Sequence, residues 1–169
     1  MQIQVLMFKQ DDPKKCTAAK LVKFGIATSV KNTSSKTLIL DPFSDKVILR
    51  NDQLVVDSIT GIDCSWELAQ KTFVKNFFGI HRKLPPLFAG NPVNYSKLNK
   101  LTTVEAIAGA LFIMEFDVLA QKMLNKFKWG HTFYDLNKNL LKDYSKARSE
   151  EDIDSVLKEY DIYDISVNH

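Results

Sequence analysis

The chain has 169 residues, 45% hydrophobic, 25% charged and 11% aromatic, which supports one full core and excludes a disordered, coiled-coil or disulfide-framework protein. The net charge of +3 is unevenly spread: residues 1–50 hold nine Lys/Arg against four Asp/Glu, and residues 147–169 hold two against seven. A basic body with an acidic end suits an anionic partner, nucleic acid first.

In chain order, Gln2 to Phe8 alternates and then runs apolar, as a strand that ends buried does. After the polar loop Lys9 to Lys15, Thr17 is placed to cap a short helix, Ala18 to Phe24, closed by Gly25. Thr37 to Leu40 reads as a second strand, with Ile26 to Val30 a weaker one, and Asp41 to Ser44 is a turn. Asn51 to Asp57 suits one or two helical turns, Ser58 to Cys64 a strand and Glu67 to Lys75 a helix. Leu84 to Ala89 is apolar, carries two prolines and reads as a strand or extended segment. Strands alternating with helices predict a parallel sheet.

After residue 100 the period becomes helical. Thr102-x-x-Glu105 is a capping box, with Leu101 and Ala106 placed to staple it. Val104, Ile107, Ala108, Leu111, Met114, Val118 and Leu119 keep helical spacing, with a break expected at Phe116-Asp117. Gly130 suits a helix stop, Phe133 to Lys146 a further helix, and Glu150 to Tyr160 a last one capped by Ser149. The fold class is α/β: a parallel-sheet lobe over residues 1–92, then an all-helical lobe over 93–169 with an acidic C-terminal segment.

No apolar run reaches the roughly 18 residues of a membrane span. The start Met1-Gln-Ile-Gln-Val5 has no basic stretch leading into an apolar one, so no signal peptide is expected. No metal is expected: His81, His131 and His169 are not at i, i+4, and no C-x-x-C occurs. Cys16 and Cys64 read as small buried residues of a reduced, cytoplasmic protein. No phosphate-cradling glycine loop is present. Three polar-aromatic segments each follow a strand end: Asp12 to Thr17, Ile62 to Trp66 and Leu84 to Tyr95. Ligands of open α/β sheets bind outside strand carboxyl ends. Asp63 and Trp66 offer one pocket a carboxylate and an aromatic wall, and Asn91, Asn94 and Tyr95 are not needed by a core. The bland alternative is that Trp66 and Tyr95 pack and Asn91-Pro92 turns the chain.

Together these segments resemble the small-subunit ribosomal RNA aminocarboxypropyltransferases, in an archaeal member. The matching text is DPKKCT (12–17), IDCSW (62–66), LP followed by A-x-N-P-V-N-Y (84–95), LTTVEA (101–106), FKWGHxF (127–133) and N-x-x-L-L-x-x-Y (137–144), in register over residues 1–146. Gly90 stands where a second alanine is usual, Ser96 where a glycine is usual and Leu98 where a proline is usual.

The resemblance implies a SPOUT-like fold with a deep trefoil knot, a monomer, and S-adenosylmethionine as cosubstrate. It implies transfer of the 3-amino-3-carboxypropyl arm to N3 of a uridine- or pseudouridine-type base, releasing methylthioadenosine. It implies cosubstrate contacts at Thr17, Pro42, Ile62, Trp66, Leu84, Asn99, Leu101, Thr103 and Ala106, with Trp66 shielding the methyl group and Thr17 and Thr103 on the amino-acid end. Asp63 is the candidate catalytic residue, as general base or as an anion facing the sulfonium or ammonium. Lys14, Lys15, Lys20, Lys23, Arg82, Lys83, Lys97 and Lys100 are the candidate contacts to rRNA or a pre-ribosomal subunit. The competing functions are a SPOUT-like rRNA methyltransferase and a non-catalytic rRNA-binding assembly factor.

Overall fold

The apolar run Thr37–Leu40 is buried along its whole length, as a strand covered on both faces of a parallel sheet must be. The computed structural model describes residues 1–8, 12, 14, 16–64 and 77–163. Its elements are β1 (Gln2–Met7), α1 (Thr17–Lys23), β2 (Thr28–Ser29), β3 (Thr37–Leu40), a 3-10 turn (Arg50–Leu54), β4 (Ser58–Asp63), β5 (Ile80–Arg82), α2 (Thr103–Ile113), α3 (Asp117–Leu124), α4 (Gly130–Lys146) and α5 (Glu150–Glu159).

The five strands form one parallel sheet in the order β2-β1-β4-β3-β5. From β1 the chain steps outward to β2, crosses to β3, returns inward to β4, and from β4 passes β3 to reach β5 at the opposite edge. The order therefore reverses between β1 and β4. Their register runs from Gln2 opposite Ser58 to Met7 opposite Asp63, so both strands end at one level. Polar side chains inside the sheet pair with each other: the Thr60 hydroxyl donates to Gln4 Oε1 at 3.0 Å, and the Thr37 and Ser58 hydroxyls lie 2.9 Å apart.

α2 is apolar nearly all round and is the central helix: nine of its eleven residues are buried, and it packs on β4, α1, α3 and α4. Gly61 permits its approach. A Cβ there would lie 2.9 Å from both Thr103 Cγ2 and Ile107 Cδ1. One hydrophobic cluster runs from Ile3 to Ile153, spanning both halves of the chain.

The helix ends follow local chemistry. Thr102 and Glu105 form the expected capping box. Gly25, at φ 71°, follows α1, and Glu115, at φ 65°, marks the break before α3. Ser149 caps α5 by accepting from Asp152 N–H. Two expectations are corrected. Cys16, not Thr17, is the N-cap of α1, its sulfur accepting from Ala19 N–H at 3.3 Å. Gly130 begins α4 rather than closing the preceding helix, which ends at Leu124. The helix expected over Glu67 to Lys75 lies outside the described residues.

Leu84 to Ala89, expected as a strand or extended segment, is extended chain without a continuous ladder, and the short strand β5 precedes it. Pro85 and Pro86 carry no N–H to donate, so this segment draws its bonds from elsewhere. Asn137 on α4 accepts from Phe88 N–H and donates to Phe88 O, both at 2.8 Å. One helical face further along, the Tyr144 hydroxyl donates to Pro86 O at 2.7 Å, and burial keeps this phenol protonated well above its ordinary range. The N-x-x-L-L-x-x-Y text is thus a backbone clamp. α5 packs on α4 through buried Ile153, and Glu150 accepts from Val47 N–H at 3.2 Å. Among the described residues, no helix is long and apolar enough to cross a membrane.

Candidate active site

The strand order reverses between β1 and β4, and the carboxyl ends of strands at such a reversal are where open α/β sheets bind ligands. Asp63, the last residue of β4, stands there half-buried, its carbonyl accepting from Phe8 N–H at 3.2 Å. Its two carboxylate oxygens are approached from two helices. Cys16 Sγ, at the start of α1, donates to Oδ2 at 3.0 Å, and the Thr103 hydroxyl, on the first residue of α2, donates to Oδ1 at a long 3.4 Å. A third contact ties the helices together: Val104 N–H donates to the Thr17 hydroxyl at 3.4 Å.

The Cys16 thiol is pushed up to about 11, chiefly by burial and then by its bond to Asp63. At neutral pH it is a thiol that donates a proton to a bond, not a thiolate nucleophile. Cys16 is therefore a partner of Asp63 that the sequence reading missed. Its only local signal was its place just before a helix.

The start of α2 is shaped by a second carboxylate. Glu105 is fully buried. Its Oε1 accepts from the N–H of Gly90 at 2.7 Å and of Asn91 at 3.0 Å, and its Oε2 accepts from Asn91 Nδ2 at 2.9 Å, Thr102 N–H at 2.7 Å and the Thr102 hydroxyl at 2.9 Å. Five donors satisfy a charge that would otherwise be prohibitive to bury. They fasten the 89–102 loop to the helix. Within that loop Ser96, at φ 63°, donates to Ala89 O at 2.7 Å, and Asn99, at φ 59°, donates to Leu87 O at 2.9 Å. The glycine usual at position 96 matches this left-handed backbone. At position 90 the missing side chain is a packing need, since a Cβ would lie 2.3 Å from Phe133 N.

The structure joins Thr103 to Asp63 directly and brings Thr17 to the same place through the N–H of Val104, the residue after Thr103. Half-buried Ile62 immediately precedes Asp63, and half-buried Leu84 lies just past β5. Pro42 is exposed in the turn after β3. That turn is held by Asp41, which accepts from Phe43 N–H at 2.9 Å and sits 2.8 Å from His81 Nδ1. Exposed Asn99 and half-buried Leu101 flank the start of α2, and half-buried Ala106 sits in its first turn. Two N–H groups of that turn, on Val104 and Glu105, already serve the Thr17 and Thr102 hydroxyls. The helix end therefore offers an anion less than its position in the sequence suggests.

Of the basic candidates, Lys14, Lys23, Lys97 and Lys100 are exposed, and Lys20 and Lys83 are half-buried. Arg82 is placed otherwise than a free phosphate ligand: its guanidinium pairs with buried Asp52, Nη2 to Oδ1 at 3.1 Å, and donates through Nη1 to His81 O at 2.9 Å. Trp66 and Lys15 lie outside the described residues.

The family model "Ribosome biogenesis protein, C-terminal" matches residues 38–161. A second, "Possible Fer4-like domain in RNase L inhibitor, RLI", matches residues 1–35. That stretch holds a single cysteine, Cys16. An iron–sulfur cluster takes about four thiolates, so this donor set does not fit one. A 16S rRNA aminocarboxypropyltransferase of Saccharolobus islandicus is 42% identical over 161 residues, covering 94% of this chain and 95% of its own. One of Methanococcoides burtonii is 40% identical over 163 residues, covering 94% of each chain. Among solved structures, the SAM-dependent rRNA:acp-transferase Tsr3 from Vulcanisaeta distributa superposes with a TM-score of 0.86 at 33% identity, covering 98% of this chain and 92% of that one. With identity of this order along nearly its full length, the chain belongs to the 16S rRNA aminocarboxypropyltransferase family.

Proposed function

We propose that this protein transfers the 3-amino-3-carboxypropyl group of S-adenosylmethionine to N3 of a uridine- or pseudouridine-type base in small-subunit rRNA. The observation that carries the reading is the carboxylate of Asp63 held by Cys16 and Thr103 at the switch point of the sheet, in a chain of this family. In the reaction a bond forms between N3 and the terminal side-chain carbon of the arm. The carbon–sulfur bond breaks, its electron pair stays on sulfur as neutral methylthioadenosine, and the N3 proton passes to solvent water. The sulfonium supplies the leaving group, so the protein's task is mainly to choose which carbon faces the base.

Thr17 and Thr103 take the amino-acid end of the cosubstrate. Pro42, Leu101 and Ala106 wall the adenine. Main-chain groups of Ile62 and Leu84 and the loop residue Asn99 hold its edges, and Trp66 shields the methyl group. Asp63 acts as an anion opposite the cosubstrate's positive charge. What supports this role is geometry: its two oxygens are held by Cys16 and Thr103 from two helices at the carboxyl ends of β1 and β4. Lys14, Lys15, Lys20, Lys23, Lys83, Lys97 and Lys100 hold RNA phosphates, and Arg82 is set aside because Asp52 engages it.

The knot belongs to this proposal too. Its support is the 84–102 segment, pinned on one side by Glu105 of α2 and on the other by Asn137 and Tyr144 of α4. We read 1–92 and 93–169 as two lobes over one core, in a cytoplasmic monomer. A knotted chain pulled from its ends extends to less than its full contour length, which force spectroscopy measures.

The test uses S-adenosylmethionine labelled separately in its carboxyl carbon and its methyl group, with unmodified small-subunit rRNA. Carboxyl label in RNA with methylthioadenosine released is expected. Methyl label in RNA establishes a methyltransferase instead, and RNA binding with neither label transferred and no cosubstrate affinity establishes an assembly factor. Asp63→Asn separates its two roles. Loss of cosubstrate affinity marks the electrostatic role, and unchanged affinity with a lost acid limb of the pH–rate profile marks a base.

A further inference from the structure

α1 joins two surfaces about 10 Å apart, the length of its seven residues. At its start Cys16 holds Asp63. At its end Phe24, 44% exposed, meets the α3–α4 connection: its ring is edge-on to Phe127 at 6.3 Å between centroids, and Phe127 in turn lies 5.2 Å from Trp129. Phe127 is only 8% exposed, so the exposed ring of Phe24 is braced from beneath. The Lys126 ammonium lies 6.0 Å from the Phe24 ring centroid. The two stretches that meet here are free of acid: residues 13–40 contain six lysines and no Asp or Glu, and residues 118–134 contain three lysines and no Asp or Glu. Exposed Lys23, Lys126 and Lys128 belong to them.

We propose that Phe24, braced by Phe127 and Trp129 and flanked by Lys23, Lys126 and Lys128, is a second contact surface for unpaired RNA next to the modified base. This deepens the reading of the protein as an rRNA-modifying enzyme and rests on it for the identity of the RNA. A fixed exposed ring offers a stacking face to a splayed base, and lysines on two acid-free stretches of chain neutralise the flanking phosphates. A base whose N3 is to react must itself leave any pairing at that edge, which suits a target in an unpaired loop, and α1 sets the separation between the two surfaces.

The experiment measures the affinity of the full-length protein for a fluorescein-labelled RNA hairpin with an unpaired loop, by anisotropy over a series of salt concentrations. Phe24→Ala is expected to weaken binding about tenfold and Phe24→Trp to preserve it. Lys126→Gln/Lys128→Gln, at two lysines outside the contacts named above, is expected to flatten the slope of log K against log salt by about 1.4, for two phosphates of a single strand. Cosubstrate affinity, measured by equilibrium dialysis, should stay unchanged in every variant. The proposal is overturned if wild-type and both sets of variants bind the RNA alike, if none binds it, or if the variants lose only affinity for an assembled subunit, which indicates a protein partner. Loss of RNA affinity in these variants together with absence of arm transfer in wild type upholds this surface and overturns only the transfer reaction.

Discussion

Two carboxylates flank the start of α2 and have opposite fates. Glu105 is sealed from solvent and accepts five hydrogen bonds of 2.7 to 3.0 Å, three of them from backbone N–H groups. Asp63 is half-buried and accepts two, one from a thiol and one at 3.4 Å. The residue types are alike and the neighbourhoods are not. A carboxylate saturated by short bonds to the main chain has no capacity left for a ligand and serves to fasten the loop. One held by weak side-chain donors is aimed but still available to a cation. Donor number and strength separate a structural charge from a chemical one here, more than proximity does.

The sharpest way to break this contrast is to neutralise each carboxylate. Asp63→Asn should lower the transfer rate about 10³-fold, with the urea midpoint nearly unchanged. A large loss of stability instead would make Asp63 structural and end the distinction. Glu105→Gln turns an acceptor towards Thr102 N–H into a donor, leaving a buried clash of N–H groups. It should cost about 2–3 kcal/mol of unfolding free energy, read from urea denaturation, with cosubstrate affinity falling as the 89–102 loop loosens.

A finer probe is the thiol. Cys16→Ala removes the Asp63 donor and should reduce the transfer rate about tenfold, whereas Cys16→Ser retains a donor and a cap and should restore most of it. The pH dependence follows from the raised thiol. Folded Cys16 keeps its proton up to about 11, while an ordinary cysteine loses it near 9.0. The folded state therefore binds that proton more tightly. Its stabilising contribution is complete below pH 9 and fades as the pH rises towards 11. Thermal melts of wild type and Cys16→Ala should converge over that interval, and parallel curves would dissociate the thiol from the fold. The smallest effect is expected at Ser96, whose φ of 63° favours glycine. Ser96→Gly should be neutral or stabilising by up to about 1 kcal/mol, with transfer unaffected.

Legibility in the sequence divides along the same line. The Thr102–Glu105 box was readable because its partners are three residues apart, and the structure reproduces it. What made Glu105 a clamp is its hold on Gly90 and Asn91, 15 and 14 residues away, which no local pattern announces. Asn137 and Tyr144 are seven residues apart and so share a helical face, yet their targets at Phe88 and Pro86 lie 49 and 58 residues back. The apolar character of Leu84 to Ala89 suits a strand or an extended segment, and the structure has the extended segment. Its two prolines carry no N–H, and its hydrogen bonds go to α4 and to the 96–99 loop, while the three-residue β5 is too short to show a period.

The sequence by itself determined the parallel α/β class, the break between α2 and α3 and most helix ends. Hydrophobic period, capping and left-handed turns act within a few residues. The tertiary structure alone decided that Asp63 meets Cys16 across 47 residues and Thr103 across 40, and that Arg82 turns inward to Asp52 rather than outward to phosphate. These outcomes depend on where strand order reverses and on which side chains the packed core leaves room for. Gly61, by having no side chain, lets the start of α2 come close enough to bring a hydroxyl to Asp63.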